Sequence, residues 1–498
     1  MELLNGIGAL LEPSVLLYLL IGVLIGVSFG ATPGLDATTG TALLIPITYT
    51  MQPMQAIIFL SALYIGGVFG GSITAILFKV PGASEAVMTA LDGYPMAQKG
   101  QAGKALGLAI MSSSIGGLIG CCFMFLLTMQ MARVALSFGP AEYAALAILG
   151  LSCISSIGSQ SQLKALMSCG FGMLLATVGI DQMSGMPRFT FGNSSLLSGI
   201  PLVPVLIGLF AASEVFDKVS AKTEMKVVDE NNSKNTGISI RETLRELRKH
   251  FGTLIRGSLI GTWIGILPGV GATTASVVSY SQESRMSKPE IPFGEGAPQG
   301  IVAAEAANNA AAVGAFIPML SLGIPGSATT AVLVGAFLLH GISVGPLLFV
   351  NQKELVYSIF GGIFLSNFLI VLCGLFMVRV FIKFVKLPYP IMATSILTFC
   401  VVGSLSVAGT MGVVVMFGFG FIGYAMNRAR YPIAPVILGL ILGQILEANM
   451  RRGLLLSQGS LVAMISRPIT VVLLLLALFS FAVPYIGKIL RSRKHQEK

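Results

Sequence analysis

Four Pro-Gly pairs, Pro33-Gly34, Pro81-Gly82, Pro268-Gly269 and Pro325-Gly326, interrupt apolar stretches of this chain, and hydroxyl side chains stand just beyond three of them. Thr38 and Thr39 follow the first, Thr273 and Thr274 the third, and Ser327, Thr329 and Thr330 the fourth. A helix starting after such a break offers amide hydrogens and a positive dipole end to an anion. The hydroxyls can hold carboxylate oxygens or a cation; equally, they can cap their own helices or bond back to the preceding turn. Asp36 sits inside the first break, where the third has Gly271. A carboxylate at membrane depth is costly unless paired or bound to a cation, which makes Asp36 a coupling-ion candidate; nearer an interface it is merely solvated. Glu305, with Asn308 and Asn309 one turn on, makes a polar helical face in an alanine-rich stretch. Helix-to-helix hydrogen bonding explains asparagines, but three such side chains beside the fourth break favour a site and add Glu305 to the coupling candidates.

The elements that position these residues show in a stretch the chain contains twice. GVLIGVSFGATPGLDATT starts at Gly22 and GSLIGTWIGILPGVGATT at Gly257, and one offset of 235 residues superposes four glycines, Pro33 on Pro268, and the Ala-Thr-Thr that follows. Glycines at steps of four lie on one helix face and let another helix approach closely. The Pro-Gly that closes each run ends the helix, since proline lacks the amide hydrogen and glycine favours other backbone shapes. One copy alone reads as a packing face with a kink. Two copies point to the broken helices of transporters, which meet near the bilayer midplane and bind solutes and ions.

Of the 498 residues, 54% are hydrophobic and 10% charged, with a mean hydropathy of +0.85. Soluble chains carry roughly 25% charged residues, so this composition predicts an all-α polytopic membrane protein. At about 20 apolar residues per crossing, about 12 segments can be placed. After the first apolar segment, which carries the first glycine run, come a half-helix over 37–52 broken by Pro46, a long segment over 54–78, and spans at 105–131, 141–157, 163–180 and 196–213. The second half adds spans near 354–379, 389–407, 408–426, 432–447 and 468–487. The runs are long and do not alternate, which excludes a β-barrel pattern.

Residues 1–215 read as one repeat and 251–488 as the other, both pseudo-symmetric and with broken helices. Short discontinuous segments in matching positions favour an inverted arrangement. The Pro-Gly pairs stand 48 residues apart in the first half and 57 in the second, and the polar stretch YSQESRMSKPEIPFGEGAPQG accounts for the difference. The 216–250 linker lies in a neighbourhood with nine Lys or Arg, which predicts a cytoplasmic loop, as does the basic 489–498 tail. Ser239 and Glu242 form a capping-box pattern before an amphipathic helix. Asp181 and Arg188, in GIDQMSGMPRFTFG, read as parts of a structured loop, and His340 as a segment end.

The net charge of +10 follows segment ends and does not indicate nucleic acid. Phosphate-loop and HExxH zinc motifs are absent, the three histidines are scattered and the cysteines have no ligand spacing, so neither a nucleotide, a metal nor another cofactor is expected. An intramembrane enzyme using Glu305 or Asp36 as acid or base is the remote alternative.

GATPGLDATTGTALLIPITY, GGSITAILFKVPGASEAVMTALDGYPMAQKGQAGKALG, GMPRFTFG, GILPGVGATTASVVSY, EAANNAAAVGAFIPMLSLGIPGSATTAVLVGAF and PVILGLILGQILEANMRRGLLLSQG occur in order. Together they resemble the large membrane subunit of the tripartite tricarboxylate transporters, the TctA family. The resemblance implies a permease of the bacterial inner membrane that works with a small four-helix membrane subunit and a periplasmic solute-binding protein. It also implies uptake of carboxylates such as citrate, driven by a Na+ or H+ gradient. The family's Pro-Gly motifs and paired asparagines carry over onto the four breaks and onto Asn308 and Asn309. Lys79 and Glu85, around the second break, are more charged than the family pattern. A stand-alone ion-coupled organic anion carrier is the second reading.

Overall fold

A computed structural model describes residues 6, 8–32, 35–157, 162–181, 183–221, 237–287, 290–385 and 389–496. Pro33 and Gly34 lie outside the described residues, as do residues 222–236 of the linker. Apart from a two-residue β-hairpin pairing Gly179–Ile180 with Pro187–Arg188, the described chain is helical.

Helix α1 (Pro13–Ala31) ends at the first break, and α2 (Ala37–Leu44) follows it, with the Pro46–Thr50 turn closing the half-helix expected over 37–52. Helix α3 (Pro53–Phe78) runs to the second break, where Lys79 adopts a left-handed backbone and α4 (Val87–Gln98) begins a few residues on. Then come α5 (Ala102–Ala135), α6 (Pro140–Ile157) and α7 (Gln162–Ala176). Leu202–Leu206 continues through a π-helical turn, Ile207–Ala212, into Ser213–Ala221, and the three make α8.

After the linker, α9 (Ile240–Lys249) leads into α10 (Phe251–Ile266), which stops at the third break, and α11 (Gly271–Met286) turns back along it. Helices α12 (Pro298–Gly314) and α13 (Phe316–Leu322) reach the fourth break, and α14 (Ala328–Leu339) leaves it. The rest is α15 (Lys353–Val385), α16 (Tyr389–Arg428), α17 (Ala434–Leu456) and α18 (Pro468–Gln496). Helix α16 is kinked at Ala408 and Gly409, which is where the two spans at 389–407 and 408–426 were divided.

Among the described residues six helices are long and apolar enough to cross a membrane, and five shorter apolar helices accompany them. The chain is a multi-pass, all-α membrane protein.

The glycine faces do what their spacing predicts. A Cβ on Gly22, Gly26 or Gly30 would lie 2.5, 2.2 or 2.0 Å from the carbonyl oxygen of Phe59, Leu63 or Gly67 in α3. On Gly261 and Gly265 it would lie 2.2 and 2.3 Å from the carbonyl oxygens of Ala307 and Ala311 in α12. In each pair the residue numbers rise together, so α1 runs parallel to α3 and α10 parallel to α12. The two pairs run against each other, because Ser72 of α3 meets Glu305 of α12 while the earlier Tyr64 stacks near the later Phe316, ring centroids 5.8 Å apart. Gly82 and Gly326, from the second and fourth breaks, tuck against the carbonyls of Gly30 and Gly265.

Outside this centre, α7 and α17 pack equally closely, with Gly172 against the Val436 carbonyl and Gly439 against that of Cys169. The π turn of α8 lies on α16, Gly208 facing the Met416 carbonyl. Ser239 caps α9, which sits on the start of α5, where Thr243 fills the space beside Gly107 and Glu246 pairs with Lys104 at 3.5 Å.

Gly26→Val should therefore force α1 off α3, and overpacking of this kind costs about 1–3 kcal/mol or more. A clear fall in the melting temperature of the detergent-solubilised protein is expected, set against Gly418→Ala, whose added Cβ meets nothing within 4 Å. Equal melting of both variants would refute the close contact.

Candidate functional site

The chain ends created by the breaks converge between α3 and α12. Asp36 closes the first break by capping α2, its Oδ1 accepting the Thr39 amide at 2.7 Å. The start of that helix thus already faces a carboxylate of its own chain. Ser327 caps α14 with a reciprocal box: the Thr330 amide donates to Ser327 Oγ at 3.1 Å and the Ser327 amide to Thr330 Oγ1 at 2.8 Å. In the third break Gly269 and Gly271 have φ of 76° and 74°, a backbone that glycine adopts without a Cβ clash.

Two hydroxyl contacts bridge the halves. Thr38, after the first break, meets Thr329, after the fourth, at 2.8 Å between oxygens. Thr273, after the third, meets Ser84, after the second, at 2.9 Å. Thr273 stands 235 residues beyond Thr38, in register with the repeat, whereas Thr329 stands 245 beyond Ser84, one place past the 244 that superposes Pro81 on Pro325. The two contacts differ in environment: Thr38 and Thr329 are buried, whereas Ser84 is exposed and Thr273 half-buried. Tyr64 of α3 joins the inner pair, its hydroxyl 3.1 Å from Ser327 Oγ.

Asn308 and Asn309 of α12 are both fully buried. Asn308 Nδ2 reaches the Glu85 carbonyl at 3.5 Å, while Asn308 Oδ1 and both polar atoms of Asn309 have no partner. Buried polar atoms are nearly always bonded in native structures, so three orphans together mark a place where a ligand or water belongs. Glu305, one turn earlier, is also fully buried but saturated: Ser72 Oγ donates to it at 2.5 Å, Ser113 Oγ at 2.6 Å, and Thr89 Oγ1 as well. It ties α12 to α3, α4 and α5 behind the asparagines.

The structure thus brings Asp36, Thr38, Gly82, Thr273, Asn308 and Ser327 to one region, with Pro81, Pro268-Gly269 and Pro325-Gly326 shaping its chain turns. Thr39 contributes its amide to the cap, and Thr274 is turned away, its hydroxyl donating to the Val270 carbonyl at 3.0 Å. Tyr64, Ser84 and Glu85 are the residues that sequence reasoning missed as site members. The one sequence signal for them is the place of Ser84 and Glu85, three and four residues after a Pro-Gly proline, as Asp36 and Thr329 are.

Asp92 has a different task. Fully buried, it accepts the amides of Gly294, Gly296 and Ala297 at 2.8–3.0 Å and the Tyr280 hydroxyl at 2.8 Å, fastening the polar insertion of the second half to α4 of the first. Asp181 and Arg188 belong to the structured loop, bonded at 2.7 Å to Arg451 and at 2.6 Å to Glu447. The Met183 amide, the Ser184 hydroxyl and Arg451 hold the Asp181 carboxyl well below the usual range. His340 ends α14 and touches Thr48.

Two cavities of about 310 and 510 Å³ lie elsewhere, the first beside Asp181 and Arg451, the second an apolar one between α6, α14 and α17. We take the breaks as the functional site because two adjacent fully buried carboxamides there carry three orphaned polar atoms, whereas in the first cavity the Asp181, Arg188, Glu447 and Arg451 charges are paired with one another and Arg188 Nε alone is without a partner.

No solved structure matches the chain. A protein of Agrobacterium vitis described as an uncharacterized 52.8 kDa protein in the TAR-I ttuC' 3'region is 36% identical over 490 residues, covering 98% of this chain and 96% of that one. A second protein of that organism, from the TAR-II ttuC' 3'region, is 36% identical over 237 residues, 47% of this chain and 98% of its own length. The family model described as the tripartite tricarboxylate transporter TctA family matches residues 16–438. With a match over most of its length and a full-length relative at that identity, the chain belongs to the TctA family of tripartite tricarboxylate transporters.

Proposed function

We propose that the chain is the large permease subunit of a tripartite secondary transporter in the bacterial inner membrane. It takes tricarboxylates or related carboxylates from a periplasmic binding protein, works beside a small four-helix membrane subunit, and is driven by a Na+ or H+ gradient. Its halves are inverted repeats, and its linker and C-terminal tail face the cytoplasm. The antiparallel course of α1 and α3 against α10 and α12, and the bridging Thr38 to Thr329 and Ser84 to Thr273 contacts, support the inverted arrangement. Nine Lys or Arg around the linker support its cytoplasmic side.

The observation that carries the reading is the set of orphaned carboxamide atoms on Asn308 and Asn309, at the meeting of the broken helices. Broken helices at the centre of a repeat fold are where transporters bind solutes and ions. Substrate carboxylates lie against the asparagines and the hydroxyls of Thr38, Thr273 and Ser327, with the Pro-Gly turns leaving room for them. Asp36 and Glu305 are the candidate groups for the coupling ion, Asp36 at the edge of the site and Glu305 behind it.

The test is uptake of labelled citrate into proteoliposomes holding this chain, its small subunit and a cognate binding protein, with and without inward Na+ and H+ gradients. Uptake that needs all three components and a gradient is expected. Uptake by this chain alone would replace the reading with a stand-alone carrier, and failure with every carboxylate tried would overturn it.

Asn308→Ala, which removes a hydrogen-bonding group worth about 1–3 kcal/mol to a charged partner, should raise the KM for citrate at least about tenfold. Its melting temperature should fall only modestly, since Asn308 Oδ1 has no partner to lose and the Nδ2 contact with the Glu85 carbonyl is long, 3.5 Å. An unchanged KM would remove Asn308 from the site.

A further inference from the structure

The second break carries a carboxylate that neither the repeat pattern nor the family pattern explains. Glu85 is 8% exposed; its Oε2 accepts the Ser84 hydroxyl at 3.2 Å, which in turn contacts Thr273, and its own backbone amide also bonds the carboxylate. Its own carbonyl receives Asn308 Nδ2. Glu85 therefore lies against the orphaned carboxamides, and Asp36 is within electrostatic range of it.

The charged and titratable groups around it are otherwise engaged. From α3, Tyr64 is bonded to Ser327, and Lys79, just past the helix, is exposed with its Nζ 5.7 Å from the Tyr94 ring of α4. From α4, Asp92 is taken by three amides and Tyr280 of α11. From α11, Glu283 is paired with Arg256, and Arg285 sits in the last turn, beyond Glu283. From α12, Glu305 is held by three hydroxyls. Among the described residues no ion pair reaches Glu85 or Asp36.

A region reading as an anion site thus contains two carboxylates and no paired cation. An ionised Glu85 in that place repels the carboxylate it must admit. Neutralisation comes from a metal cation or from a proton. Hard cations such as Ca2+ and Mg2+ gather about six oxygens or more, whereas a proton needs none beyond the carboxylate, whose bonded side-chain partner is the Ser84 hydroxyl.

Resting on the permease reading above, we propose that Glu85 is the proton-carrying group of this transporter: it takes up one proton on the loading side before the substrate carboxylate binds, and returns it on the other side when the substrate leaves. Asp36 is already engaged as the α2 cap, its Oδ1 accepting the Thr39 amide. The balance is one proton on Glu85 for each substrate bound, with no other bond made or broken.

The experiment compares the full chain, Glu85→Gln, Glu85→Asp and Asp36→Asn, each reconstituted with the partner subunits. Citrate exchange by the unaltered protein should rise as pH falls, by about tenfold per pH unit on the alkaline side of the titration. Glu85→Gln should flatten that profile and abolish accumulation driven by a pH gradient, and Glu85→Asp should restore both. A profile that persists in Glu85→Gln, or that disappears in Asp36→Asn instead, overturns the proposal.

Infrared difference spectra between about pH 5 and about pH 9 supply a reading that needs neither transport nor substrate. A protonated-carboxyl band present in the unaltered protein and missing in Glu85→Gln is expected, and identical spectra overturn the proposal. Absence of citrate exchange in every protein would count against the transport reading, while the infrared result would still decide the protonation of Glu85.

Discussion

Carbonyl oxygens of α3 and α12 occupy the space where side chains of α1 and α10 would otherwise project, and the rest of the centre depends on that closeness. With 2.0 to 2.5 Å between a notional Cβ and a carbonyl, only glycine is admitted at Gly22, Gly26, Gly30, Gly261 and Gly265. Contact of this kind is how helices associate in lipid, where burying apolar surface gains little. It also sets where each helix ends. Gly30 and Gly265 stand one turn from the Pro-Gly breaks, and the backbone turns at Gly82 and Gly326 rest on their carbonyls. Each half therefore locks two broken chain ends to one another before any ligand arrives.

Much of this centre was legible because it is local or periodic. Steps of four among the glycines, the Pro-Gly stops and the 235-residue offset are properties of one-dimensional sequence, and they placed the packing faces and three of the described breaks. Asn308, Asn309 and Glu305 stood out as polar groups in an alanine-rich helix. Their different fates were not legible: Glu305 is saturated by hydroxyls from α3, α4 and α5, and the asparagines are not. That difference depends on contacts more than 190 residues apart in the chain. Tyr64 was hidden for the same reason, since its hydroxyl partner lies 263 residues away. Thr274, which resembles Thr273 in every sequence respect, turns back to its own helix because the next residue along a helix points about 100° away.

The insertion in the second half shows how one added carboxylate partner converts a loop into structure. Proline and glycine in residues 287–297 favour an irregular path, and three of its amides would be left without helical or strand partners. Asp92 accepts all three, and Tyr280 completes the set from α11. The insertion that lengthens the second half is thereby joined to α4 of the first, and the halves share a polar clasp in addition to their apolar contact.

The two bridging hydroxyl pairs differ in exposure, and for an entering anion that inequality is a schedule of dehydration. In the proposed transporter a solute would first meet Ser84 and Thr273, the more exposed pair. It then passes to the dry pair, Thr38 and Thr329, and to carboxamides that no water-facing surface touches. Hydration is removed shell by shell, each lost water replaced by a fixed dipole. A solute whose charges are spaced to match that order crosses a graded slope, and one that must shed all its water at once meets a wall.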